Sequence, residues 1–65
     1  MNAGKTIKQL RLKVGYKQSY IASHLKVTQG YYSLIERDLA PLKLSQLLII
    51  IHILGVSIQD ILGES

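Results

Sequence analysis

Cysteine is absent from this chain, which excludes disulfides and thiolate metal sites. That absence fits a reducing, cytoplasmic setting. Acidic residues are few and late, none preceding Glu36. No apolar run approaches the roughly 20 residues that a membrane-spanning helix needs. The longest, Leu47 to Leu54, is interrupted by His52. The opening MNAGKTIKQL lacks an apolar stretch of the signal-peptide kind, so secretion is not signalled. Repeats, low-complexity runs and linkers are missing. No segment alternates with period two, so strands have no support. Proline occurs once, as Pro41 in a loop, and the glycines fall mostly at boundaries.

What remains is a short, apolar and basic chain. Its 65 residues allow one domain, spanning 1–65. A chain of this size buries only about 60% of the surface its unfolded form exposes, so its stability is marginal. The apolar fraction of 48% is ample for folding and argues against disorder. The net charge of +4 is unevenly spread. Lys5, Lys8, Arg11, Lys13, Lys17 and Lys26 all precede the first acid, and no basic side chain follows Lys43. A basic first half could meet a polyanion. Lysines that keep a small protein in solution would give the same pattern.

The spacing predicts an all-α compact bundle of five short helices. The first runs from about Ala3 to Val14, with Asn2 as N-cap and Gly15 past its end. Ile7, Leu10 and Val14 define its buried face, and Gly4 is tolerated there because helix ends fray. The second runs from about Gln18 to Leu25, burying Ile21, Ala22 and Leu25. The third runs from about Gln29 to Arg37, burying Tyr32 and Ile35 after the N-cap Thr28. The fourth covers Leu44 to Leu54 and ends at Gly55. Its core face is expected to be Leu44, Leu47, Leu48, Ile51 and Leu54. The last follows Ser57, with Asp60 completing a capping box, carries Ile58, Ile61 and Leu62, and closes at Gly63.

The second and third helices meet at a tight corner, with Ala22 as the small contact and Val27 as its plug. That layout is a helix-turn-helix, whose second helix lies in the major groove of DNA. With Tyr32 and Ile35 inward, Gly30, Ser33, Leu34 and Arg37 point outward, and Gln29 and Tyr31 lie on the borders. Gln29 can bond adenine N6 and N7, and Leu34 can pack on a thymine methyl. Gly30 lets the backbone approach the groove. Ser33 and Tyr31 offer hydroxyls, and Arg37 can hold the DNA backbone. Gln18 is placed to touch a phosphate with side chain and amide together, beside Lys17. The candidate DNA contacts are thus Lys17, Gln18, Thr28, Gln29, Gly30, Tyr31, Ser33, Leu34 and Arg37. Each has a plainer alternative: Gln29 as an ordinary polar helix residue, Tyr31 packed on the second helix, Leu34 against Leu39 or simply exposed.

From Gly4 to Leu62 the chain resembles the phage repressor and Cro-like (XRE-type) helix-turn-helix family. The resemblance rests on GKTIKQLR, on Gln18, Ala22 and the corner Val27-Thr28, on Ile35-Glu36-Arg37, and on Leu54-Gly55-Val56-Ser57. It implies a five-helix, lambda repressor-like DNA-binding domain, usually dimeric on a two-fold operator. It implies that Gln18 touches the DNA backbone and that Gln29, Gly30 and Leu34 occupy base-contacting positions. It also implies a buried ion pair between Arg11 and Glu36; both lie at the border of a buried face, and an exposed pair is the alternative. The chain departs from the family at Lys26, which replaces the corner glycine and must adopt positive φ. Asp38 stands where a helix-ending glycine is usual, and Lys43 replaces an N-cap serine or threonine.

The fourth helix, apolar almost all round, carries more than one buried stripe requires. Ile49 and Ile53, with Ile58 of the last helix, are therefore expected to form a homodimer contact. A two-fold dimer would set the recognition helices about 34 Å apart. His24 and His52 have no carboxylate or thiolate at ligand spacing, so no metal or cofactor is expected. No nucleophile–base pair or phosphate loop points to an enzyme, and no small-molecule ligand or membrane partner is evident. The expected function is sequence-specific double-stranded DNA binding as a dimeric repressor. The alternative is a protein-interaction or antitoxin-like module whose partner covers Ile49 and Ile53.

Overall fold

The computed structural model describes residues 3–63, which form α1 (Ala3–Val14), α2 (Gln18–Leu25), α3 (Gln29–Glu36), α4 (Leu44–Leu54) and α5 (Ile58–Leu62). Among the described residues there is no strand. The expected cap Asn2 lies outside them. Arg37 is the C-cap of α3 rather than its last turn. α2 packs on α3 and α4, while α1 packs on α3, α4 and α5. Ile7, Ile21, Tyr32, Ile35 and Ile50 are fully buried where these helices meet.

Capping explains most of the boundaries. Thr28 Oγ1 accepts a hydrogen bond from Tyr31 N at 3.1 Å, fixing the start of α3. Ser57 and Asp60 form a reciprocal box at α5, at 2.9 and 3.2 Å. Lys43 has no side-chain acceptor, so α4 is capped from within: Gln46 Oε1 accepts from Lys43 N at 2.9 Å.

Two helices end on left-handed residues that are not glycine. Lys26 has φ 59° and Asp38 has φ 58°. Behind Lys26, Val27 N bonds Ala22 O at 3.1 Å and Lys26 N bonds Ser23 O at 3.2 Å, the Schellman pattern that forces this conformation. Behind Asp38 the same pattern runs from Leu39 N to Leu34 O and from Asp38 N to Ile35 O. Asp38 gains a compensation, because its Oδ1 accepts from Gly4 N at 3.1 Å near the start of α1. No side-chain bond of Lys26 offsets its conformation. Lys26→Gly is therefore expected to stabilise the domain by about 0.5–1 kcal/mol, the left-handed cost less the entropy glycine adds to the unfolded chain. Thermal unfolding should show a rise of roughly 4 °C. An unchanged or lower melting temperature would contradict this.

Three expectations about packing need correction. In α1 the inward residues are Ala3, Gly4, Ile7 and Arg11, whereas Leu10 is half-buried and Val14 is 46% exposed. Gly4 is not a tolerated end residue. An added Cβ would collide with the carbonyl oxygen of Ile35 and stand 2.7 Å from that of Glu36. In α4 the buried residues are Leu47, Ile50 and Leu54, while Leu44 and Leu48 are 65% and 50% exposed. Apolar side chains surround nearly the whole of α4, so its own pattern does not fix its rotation. α1 and α2 fix it by the shape they present.

Candidate nucleic-acid interface

The corner of α2 and α3 is held from behind by a buried network. Arg11 Nε donates to Glu36 Oε2 at 2.6 Å and Arg11 Nη2 donates to Glu36 Oε1 at 3.1 Å. This two-point geometry is the strong form of the pair. Arg11 Nη1 donates to the Tyr16 carbonyl at 2.8 Å. Gln18 Nε2 donates to Glu36 Oε1 at 2.9 Å. One carboxylate therefore joins α1, the start of α2 and the end of α3. The side chains of Arg11 and Glu36 are only 7% and 1% exposed.

Burial is the largest single influence on Glu36 and opposes its ionisation. Hydrogen bonds from Arg11 and Gln18, with the Arg11 charge, outweigh it, and the carboxyl titrates below its ordinary value. The hydrogen bond to Glu36 raises the Arg11 pKa. Burial first, and the neighbouring Glu36 second, push the Tyr32 hydroxyl far up. That hydroxyl lies inside without a well-formed hydrogen bond to any described residue.

On the front of this scaffold, Lys17, Thr28, Gln29, Gly30 and Arg37 are exposed, while Gln18, Ser33, Leu34 and Tyr31 are half-buried. Tyr31 packs on the core. Leu34 is half-buried without packing on the core cluster, and Leu39 is 67% exposed. Gln18 differs from the expected placement, because one of its two amide N–H groups is held by Glu36. The second N–H and the backbone N–H of Gln18 make no hydrogen bond to a described residue. Of the 8 lysine and arginine side chains, every one except Arg11 is exposed. Arg11 thus belongs to the scaffold and not to the basic surface.

The outer side of α2 carries a feature that composition did not suggest. Tyr20 and His24 lie there with ring centroids 4.6 Å apart, and Tyr16, half-buried on the core in the turn before α2, continues the row at 4.7 Å, both pairs tilted. The spacing of Tyr20 and His24 is visible in the sequence, and helical periodicity on the exposed face could have found it; Tyr16 lies outside the helix.

The apolar expectation for α4 and α5 is partly redistributed. Ile49 and Ile58 are exposed, at 39% and 37%, but Ile53 is half-buried against the chain's own core. Leu44 and Leu48 add to the exposed apolar surface. His24 and His52 are exposed, and no group of three potential ligands gathers among the described residues. No helix among them is long and apolar enough to cross a membrane.

Comparison with known proteins agrees with this geometry. A family model described as Helix-turn-helix matches residues 7–61, from the first buried isoleucine of α1 to the buried isoleucine of α5. No curated protein and no solved structure matches the chain.

Proposed function

The chain belongs to the phage repressor and Cro-like helix-turn-helix family of DNA-binding transcription regulators, and on that premise we propose that it is a dimeric repressor reading the major groove with α3. The observation that carries this reading is the outward face of α3. Gln29 and Gly30 stand open at its start, and exposed Lys17, Lys26 and Arg37 flank the corner. Cations and the open N–H groups at the start of α2 hold phosphates, while α3 meets base edges. Leu48, Ile49 and Ile58 support a two-fold contact, since each is apolar and exposed on the last two helices. Repression then follows from occupancy, because a bound dimer obstructs other proteins on the same duplex.

Fluorescence anisotropy with labelled duplexes tests this. Affinity should fall steeply from 50 to 200 mM salt, with a log–log slope of about −0.9 per phosphate contacted. Gln29→Ala should lose roughly 1–3 kcal/mol on the preferred site and almost nothing on random duplex. Equal losses on both would show that Gln29 reads no base.

A second reading has its own support. The exposed apolar side chains of α4 and α5 also suit a protein partner, as in an antitoxin-like module. Absence of binding to every duplex at low salt would favour it.

A further inference from the structure

Nothing in the folded chain calls for Gly30. It lies in the first turn of α3, outside the left-handed region, and an added Cβ would meet nothing within 4 Å. Glycine in a helix weakens it relative to alanine, so the reason for this one lies outside the chain. Leu34 sits one turn on, half-buried yet not packed on the core. Helical side chains lean toward the helix N-terminus. Leu34 therefore shares the outer face with Gly30, and its side chain stays more than 4 Å from where a Cβ at Gly30 would stand. The two leave an open apolar stretch of that face, with Gln29 exposed beside it.

We infer that this apolar stretch packs on the C5 methyl group of a thymine, so that α3 selects A·T base pairs. An amide bonds adenine N6 and N7, and an apolar side chain accepts the thymine methyl. The partners of the other bases are missing from this face. Guanine is read mainly by arginine or lysine, and α3 itself carries neither: Lys26 stands in the corner before it and Arg37 is its C-cap. Cytosine is read by a carboxylate, and Glu36 is turned inward onto Arg11. The inference rests on the reading of α3 as the groove-facing helix, and goes beyond it by naming the base pairs.

The test begins by selecting bound duplexes from a random library with the full chain. Each thymine of the enriched site is then replaced by uracil, which removes only the methyl group. Binding should weaken about fourfold at one or more thymines. Leu34→Ala should abolish that sensitivity while leaving the fold intact, as judged by circular dichroism. Gly30→Ala places a methyl group between that stretch and the groove, so it should raise the melting temperature and yet weaken binding to the thymine-containing site. An enriched site with no uracil-sensitive thymine overturns the inference and leaves DNA reading in place. So does a uracil effect that persists in Leu34→Ala. A library that yields no enriched site overturns the reading of α3 itself.

Discussion

Glu36→Ala is expected to unfold this domain or nearly so. The substitution strands the Arg11 guanidinium, which is buried and donates at 2.6 and 3.1 Å to the carboxylate it would lose. Removing one partner of such a pair costs about 3–5 kcal/mol. At roughly 0.05–0.15 kcal/mol per residue, a chain of this length has about 3–10 kcal/mol in all. Chemical denaturation should therefore show little or no folded baseline. Arg11→Met/Glu36→Leu removes both charges and keeps the volume, so it should lose less than the single change. A single variant melting within a few degrees of wild type would contradict the account.

Titration offers an independent reading of the same pair. The folded state holds the Glu36 carboxyl below its ordinary value of 4.5, whereas the unfolded chain returns it there. Its contribution is thus fully present above the unfolded value and is lost as pH falls through 4.5 towards the folded value. Stability should decline in that acid window for the wild-type chain. The double variant, which has no carboxyl there, should decline less.

Gly4→Ala is expected to be the second severe change, against the intrinsic preference of a helix for alanine. Its methyl group would enter the space of the Ile35 and Glu36 carbonyl oxygens, which belong to the end of α3. Both sides of the contact are backbone, so α1 must move bodily. Overpacking of this kind typically costs 1–3 kcal/mol. The movement would also draw Arg11 away from Glu36, because the same two helices carry the pair. The combined loss should reach about 3 kcal/mol or more. The same substitution at Gly30, where space is open, should stabilise by up to about 1 kcal/mol. Equal effects of the two alanines in urea denaturation would contradict the packing described.

These two sites also show where the sequence is legible. Helix positions follow from local chemistry. Thr28, Ser57 with Asp60, Gly15 and Gly55 mark ends through bonds made within a few residues. The ranges of α1, α2 and α4 accordingly agree with what spacing predicts. Ile21, Ala22, Leu25, Tyr32 and Ile35 are likewise inside as their periodicity requires. The contacts that join helices are another matter. Gly4 against the end of α3, Asp38 accepting from Gly4, and Gln18 donating to Glu36 link residues far apart in the chain. No local pattern announces them. The rotation of α4 is hidden for a different reason: LLIIIHIL offers an apolar side chain in nearly every direction. Its phase depends on the neighbours, which turn Ile50 inward and leave Leu48 out. On the reading face, the sequence supplies the residue types, and the fold adds that Leu34 stands off the core while Tyr31 does not.

The central claim is that the outward face of α3 meets DNA, with the start of α2 on the phosphate backbone. Amide chemical-shift mapping of the isotope-labelled chain, titrated with its enriched duplex, tests it most directly. The account predicts the largest shifts at Gln18 and from Thr28 to Leu34, with small ones along α5. Shifts concentrated on α4 and α5, with α3 unmoved, would contradict it.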